Sequence, residues 1–441
     1  MQEDKSVLII GSGTFGTSTA YHLALRDGSY KSIKAIDKNP LPSIDSAAYD
    51  LNKIIRTEYD EPLYASLALE ALREWRSSPL WKGIFHETGW IVTTCGDPAA
   101  VEHLRKSYEN LKKEGQVEGN VEFVEGKDEI VKFVPQLSNA KGLQTWKGLW
   151  NRQAGWAHAK NALTKMGTEA QKLGVEFVSG PGGTMTRLRT EGDRVVGVEV
   201  ASGEVLTANR YILCTGAASP ALLPELSKEL WSKCWTLGHI ELTEEEAKQF
   251  KGMPIVDNHE LGFMFEPDEE NRWIKICNAF PGYQYRKGEF TDEKGRTSKY
   301  SIPRYASDHP EETIPEEAEK GIRTFLDAVL PQFSDRPLLE ARTCWCTDSP
   351  DSHYLIDTHP AYPGGELLLA TGDSGHAFKM IPIIGKYIAD ALDGKKKKEW
   401  SYGSRKDTGD PTRPGDKVKD LRDVGFDADA LLEGKTQASE L

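Results

Sequence analysis

Four consecutive aliphatic residues, Val7-Leu8-Ile9-Ile10, run directly into Gly11-Ser12-Gly13-Thr14-Phe15-Gly16, and this junction constrains the fold more than any other segment. A short unbroken aliphatic run is what a strand buried on both faces needs, as in a parallel sheet. Thr17 to Arg26 then carries a helical pattern, so the glycines sit in a strand–turn–helix junction. There the backbone N–H groups and the helix dipole can hold a pyrophosphate. Gly11 permits the tight turn, Gly13 lets the backbone approach the phosphates, and Gly16 allows close helix–strand packing. A second strand, Ile33 to Ile36, ends at Asp37, which lies 26 positions after Gly11 (37 − 11). A carboxylate at that point can accept both ribose hydroxyls. Thr14, Phe15, Lys38 and Ser46 complete the expected cofactor-binding set around this turn. The bland alternative is an ordinary βαβ turn.

The remaining 400-odd residues decide what such a domain is attached to. A chain of 441 residues suggests two or three domains. With 38% hydrophobic and 28% charged residues it can build a sizeable core. Its 55 basic against 68 acidic residues give a net charge of −13, which opposes phosphate-backbone binding and excludes nucleic acid as a partner class. No stretch approaches the roughly 18 apolar residues of a membrane span, and Val7–Ile10 is too short for a signal-peptide core. The six cysteines (Cys95, Cys214, Cys234, Cys277, Cys344, Cys346) form no C-x-x-C pair and no disulfide framework. A reduced, intracellular protein without a metal site is expected.

Further along, Pro62 to Trp75 and Ile314 to Val329 have helical patterns, as does Ala157 to Leu173. Strands are expected at Gly89–Val92, Val175–Val178, Arg194–Val200, Tyr211–Cys214 and Leu367–Ala370, and a helix is expected after Gly375, to about Leu392. Residues 235 to 310, including Phe280-Pro281-Gly282, are β-rich and irregular. Beyond Gly394 the chain is polar and reads as a wrapping or mobile tail.

The glycine fingerprint is shared by FAD and NAD sites. Two later strand–turns, at Leu213-Cys214-Thr215-Gly216-Ala217 and Ala370-Thr371-Gly372, look like chain returning to the cofactor from far downstream. A nicotinamide domain is normally contiguous, so these returns favour FAD, with Gly216 and Gly372 beside it.

Four ordered segments carry a resemblance: Gly11–Gly16, Asp50-Leu51-Asn52-Lys53-Ile54-Ile55-Arg56, Arg342-Thr343-Cys344-Trp345-Cys346-Thr347-Asp348-Ser349-Pro350-Asp351, and Gly372-Asp373-Ser374-Gly375-His376-Ala377-Phe378-Lys379. Together, to about residue 395, the chain resembles the monomeric sarcosine oxidase and fructosyl amino acid oxidase (amadoriase) family. The resemblance implies an α/β fold, with a Rossmann-type FAD-binding domain and a second domain built on an antiparallel sheet. The expected flavin domain is discontinuous, over 1–85, 150–230 and 335–395. A catalytic domain is expected over 86–149 and 231–334, and a polar tail over 396–441.

It further implies an FAD-dependent oxidase that passes hydride from the carbon next to nitrogen to the flavin, hydrolyses the imine and makes hydrogen peroxide. The partners implied are a small secondary amino acid and dioxygen, and the enzyme would be a monomer. Cys344 matches the cysteine that tethers the flavin covalently, with Cys346 its near neighbour. Lys275, in Trp273-Ile274-Lys275-Ile276-Cys277, matches the lysine that activates oxygen. Arg56 and Lys379 match the pair that grips the substrate carboxylate, a task that suits the planar guanidinium fork. Lys53 matches a basic residue close to the ring, and Gly375 and His376 lie in the cofactor-facing turn. Without the resemblance, Cys344 is a small buried hydrophobe, Lys275, Lys53 and Arg56 are surface charges, and His376 is a packed turn histidine.

There are departures. Ala279 stands where amadoriases typically carry a substrate-contacting acid, and Trp400-Ser401-Tyr402-Gly403-Ser404-Arg405 replaces their Trp-Arg-Trp-Arg-Pro-like segment. The expectation is therefore a sarcosine-, saccharopine- or pipecolate-like substrate. The alternatives are a fructosyl amino acid, a flavin dehydrogenase using another acceptor, and a silent flavin-binding protein. Ser439-Glu440-Leu441 resembles a peroxisomal address with an acid in place of the base, which leaves cytoplasm and peroxisome both open.

Overall fold

The computed structural model describes residues 5–26, 30–279, 282–291, 294–405 and 418–426. Phe280, Pro281 and the Ser439-Glu440-Leu441 terminus lie outside the described residues. Ser6–Ile10 forms the expected strand, flanked in parallel by Ser32–Ile36 and Arg210–Leu213. Side chains alternate across a strand. Val7 and Ile9 accordingly enter one core, shared with the helices Thr14–Ala24, Ala159–Lys172 and Ile384–Leu392. Leu8 and Ile10 enter another, shared with Val195 and Val198 of a three-stranded sheet. Glu176–Val178, Leu367–Thr371 and Leu355–Thr358 complete a six-stranded sheet, so chain from five distant segments builds one layer.

Two local expectations shift. The helix expected from Ala157 starts at Ala159, because Gly155–His158 is taken as a strand by the antiparallel pair with Asn52–Ile55. The helix after Gly375 is split into a short turn at Phe378–Met380 and a helix from Ile384 to Leu392.

A second, ten-stranded sheet is centred on Trp231–Glu241, which pairs antiparallel with both Trp273–Asn278 and Leu339–Asp348. Leu339–Asp348 carries Cys344 and Cys346, so the segment expected to serve the flavin domain is built into the larger sheet. A fully buried ion pair, Lys233 to Asp348 at 2.6 Å, ties these two strands together. Two described stretches beyond Gly394, residues 395–405 and 418–426, pack on the molecule. Trp400 is buried against the helical core, and Lys419–Asp420 adds a parallel strand to Tyr283–Gln284. No helix among the described residues is long and apolar enough to cross a membrane.

The position of the glycine turn depends on one close helix contact. Ser18, on the helix that opens after Gly13, donates from Oγ to the Ile381 carbonyl at 2.7 Å and accepts from Gly385 N at 2.9 Å. A Cβ at Gly385 would come within 2.1 Å of the Ser18 carbonyl oxygen. Gly385→Ala should therefore force the two helices apart and cost at least about 2 kcal/mol. An unchanged urea midpoint would refute that close approach.

Candidate flavin and amine site

The glycine turn borders a cleft of about 410 Å³. Gly11 has φ +97, and a Cβ there would lie 2.4 Å from the Cys214 carbonyl oxygen, so only glycine fits the turn. Gly16 is closer still, with a built Cβ 1.8 Å from the Gly11 carbonyl oxygen. The helix beginning at Thr14 has Gly13 as N-cap, with no capping side chain and no acid in its first turn. Its free N–H groups are thus left for an anion. Asp37 accepts from Ser12 N at 2.8 Å, Asn39 N at 2.9 Å and Ser43 Oγ at 2.8 Å, which fixes its carboxylate at the end of the second strand.

Gly13, Thr14, Phe15, Lys38, Ser46 and Gly216 line the same cleft, as expected. Lys38 is already engaged, with Asp308 at 2.6 Å and Asp45 at 3.3 Å, so it bridges the cleft mouth rather than offering a free charge. Thr371 and Asp373, on either side of Gly372, line the wall. Gly375 packs against the Trp235 indole, 3.5 Å from its built Cβ. Asp373 is a residue that sequence reasoning passed over. Burial pushes its carboxyl up to about 6, and it accepts from Thr347 N at 2.8 Å.

Cys344 and Cys346 occupy alternate positions of one strand and share a face. Cys346 borders the cleft, but burial pushes its thiol well above the ordinary range, and the carboxylates of Asp348 and Asp373 push it further. Cys344 is partly exposed, 3.7 Å from the Ala47 carbonyl oxygen, and its electrostatic neighbours include Lys53 and Arg342.

The expected cations fall into two groups. Lys275 and Lys53 meet at Asp50, a residue the sequence reading quoted but did not assign. The fully buried Asp50 carboxylate lies 2.5 Å from Lys275 Nζ, 2.9 Å from Lys53 Nζ and 3.4 Å from Arg342. Burial alone would raise its pKa, but Lys275, Lys53 and Arg342 outweigh it and hold the carboxyl well below the usual range. Lys275 also donates to the Asn52 carbonyl at 2.8 Å. The buried Asn52 side chain has neither its Nδ2 nor its Oδ1 satisfied. Orphaned donors and acceptors beside a cationic cluster fit a flat, polar-edged heterocycle such as a flavin ring.

Arg56 and Lys379 meet at Tyr59. The Arg56 guanidinium lies 4.3 Å over the Tyr59 ring and 5.3 Å over Trp90, donates to the Glu58 carbonyl, and forms no ion pair among the described residues. Lys379 is buried and donates to Tyr59 Oη at 3.0 Å and to the His376 carbonyl at 2.9 Å. His376 stands behind this pair instead of lining the cleft. Its Nε2 donates to the Ser352 carbonyl at 2.9 Å, which leaves Nδ1 to accept from Tyr59 and Tyr354, each at 3.2 Å.

The protein that such a cleft and cation set define is a flavoprotein. The chain belongs to the FAD dependent oxidoreductase family, whose model matches residues 6–391. It is 34% identical over 429 residues to the L-saccharopine oxidase of Schizosaccharomyces pombe, covering 95% of each chain. It is 27% identical to a monomeric sarcosine oxidase of Streptomyces avermitilis over 411 residues, 89% of this chain and 95% of that one. Among solved structures it is similar to the fructosyl peptide oxidase from E. terrenum, with a TM-score of 0.87 and 35% identity over 96% of this chain and 97% of that one.

Burial, then the Arg56 charge, holds the Lys379 ammonium well below its ordinary pKa. A carboxylate arriving beside it favours the charged form, so binding should draw a proton onto Lys379 at mildly alkaline pH. Calorimetry in buffers of different ionisation enthalpy should show proton uptake that Lys379→Met abolishes. Uptake unchanged in the variant would remove Lys379 from carboxylate binding.

Proposed function

We propose that this protein is an FAD-dependent oxidase of a secondary amino acid, N-substituted or cyclic. The observation that carries this reading is the convergence of Arg56 and Lys379 on Tyr59, with Arg56 in no ion pair among the described residues. Lys275, on the larger sheet, belongs to a second cationic cluster at Asp50, and the named oxidase relatives support the reading.

FAD, when bound, supplies the hydride acceptor and passes its electrons to dioxygen. Gly11, Gly13 and the helix start at Thr14 would hold the pyrophosphate, and Asp37 would take the ribose. Asn52, Lys53 and Asp373 would meet the ring, with Cys344 as its tether. Burial and the carboxylates of Asp348 and Asp373 oppose the thiolate at Cys346, which leaves Cys344 as the candidate for the tether. Arg56 and Lys379 fix the substrate carboxylate and so orient the adjacent C–H. The C–H leaves as hydride and the N–H as a proton. Water then adds to the C=N bond and splits it into a primary amine and a carbonyl compound. Two electrons and two protons convert dioxygen to hydrogen peroxide, and Lys275 provides positive charge where oxygen is reduced. The division into a discontinuous flavin domain and a catalytic domain is part of this proposal, amended so that Leu339–Asp348 belongs to the catalytic sheet.

Likeness to fructosyl peptide oxidases favours one other substrate, a fructosyl amino acid, while Ala279 counts against it. Peroxide measured against sarcosine, pipecolate, saccharopine and fructosyl-valine decides between them. We expect peroxide from a secondary amino acid, with Lys275→Met slowing reoxidation by oxygen on the order of 10²–10³-fold. Turnover of fructosyl-valine alone would overturn the assignment, and flavin reduction without peroxide would make the protein a dehydrogenase.

The tether has its own test. Acid-precipitated protein should stay yellow and Cys344→Ala should release the colour. Retention in Cys344→Ala but loss in Cys346→Ala would move the bond to Cys346, and loss from the unaltered protein would leave no covalent bond to assign.

A further inference from the structure

The sheet register places a carboxylate on the same face as Lys275. Directly opposed residues in a sheet point to one side. Lys275 and Cys277 share a face of their strand by alternation. Cys277 opposes Phe263, Phe263 opposes Asp257, and Asp257 opposes Val92. Asp257 therefore stands two strands, roughly 10 Å, across this roof from the Lys275 strand.

Its surroundings are unusual for an acid. Asp257 is only 7% exposed, and its carboxyl receives one hydrogen bond, from Trp90 Nε1 at 3.2 Å. A carboxylate can accept about four, so this one is under-satisfied. The charge that acts on it is Arg56, and both groups touch the Trp90 indole, the guanidinium over the ring face and the carboxyl at the Nε1 edge. His259 is no partner, because burial, then the Arg56 charge, lowers its pKa to about 4 and keeps it neutral. Glu58, the other buried acid near Arg56, is occupied by Asn151 Nδ2 at 2.5 Å and Thr57 N at 2.9 Å. Of these two acids, Asp257 is thus the one with room for a new donor. Burial raises its carboxyl to about 7, which a cation beside it would reverse.

We propose that Asp257 is a specificity-determining residue that receives a second, non-reacting ammonium of the substrate. The substrate class is then a secondary amino acid whose nitrogen substituent is a long arm bearing a primary amine, as in an N-substituted basic amino acid. Arg56 and Lys379 hold the carboxylate beside the reacting carbon, while Asp257 draws the far amine to the roof. The inference rests on the secondary-amine oxidase reading and goes beyond it.

Two ligands separate the possibilities: saccharopine, and N-(5-carboxypentyl)glutamate, which keeps the same length and carboxylates but lacks the far amine. Asp257→Asn is isosteric, removes the charge and keeps an acceptor for Trp90. Binding is read by calorimetry on enzyme whose flavin has been chemically reduced, and kcat and KM by peroxide release. Asp257→Asn should weaken saccharopine binding about 30-fold or more, in Kd and KM rather than kcat, and leave the analogue within about threefold. Equal losses for both ligands would make Asp257 a structural support of Arg56 and overturn the proposal. So would an unaltered enzyme that binds the two equally, or one that oxidises sarcosine or pipecolate but does not bind saccharopine. The last result would leave the oxidase assignment standing, whereas peroxide from no amino acid at all would sink that assignment and not this one, provided Asp257 still distinguished the ligands in binding.

Discussion

One buried carboxylate organises the centre of this molecule. Asp50 is out of contact with water and sits against Lys275, Lys53 and Arg342, which come from three remote parts of the chain. Removing a carboxylate from water costs several kcal/mol, and only close, well-formed charge contacts offset that. The cations in turn would repel one another without it. Three positive groups and one negative leave an excess of two positive charges in a low-dielectric space, which suits a cofactor that gains electrons. The strand Asn52–Ile55 begins two residues after Asp50 and ends beside Arg56, so the carboxylate also anchors the strand that leads to Arg56.

The second group of charges obeys a different logic. Around Tyr59, Arg56 forms no ion pair among the described residues, and Lys379 is held by neutral oxygens. An amine kept below its ordinary pKa and an unpaired guanidinium make a poor stabilising pair but a ready receptor for a carboxylate. His376, fixed in one tautomer by the Ser352 carbonyl, orients Tyr59 without needing to exchange a proton with substrate. The electrostatics thus divide the site into a satisfied cluster under the roof and an unsatisfied one at its side.

The local elements were legible in the sequence because their causes are local. Short unbroken aliphatic runs at Val7–Ile10 and Leu367–Ala370, each followed by a glycine turn, suit strands covered on both faces, and the spacing of the glycines at 11, 13 and 16 marks the turn. The helix over Pro62–Ser77 follows from its own apolar periodicity and a proline in its first turn. The resemblance to the sarcosine oxidase and amadoriase family also brought out Lys53, Arg56, Lys275, Cys344 and Lys379 as a set. What spacing does not encode is which side chain meets which. Asp50 and Asp257 looked like ordinary acids among 68 acidic residues.

Tertiary structure alone decided their meaning, because pairing and desolvation are properties of the packed state. Asp50 becomes a hub only when the strand Trp273–Asn278 arches over it. Asp257 shares the face of Lys275 only through the register of the larger sheet, where a slip of one residue would turn it to the other face. Leu339–Asp348 illustrates the same limit. Its sequence carries the flavin-family cysteines, yet its hydrogen bonds go to the larger sheet, because Trp231–Glu241 offers it a long antiparallel edge. The sequence by itself determined a dinucleotide turn and an inventory of charged groups. The long-range register and burial determined which of those charges cancel and which are left to bind.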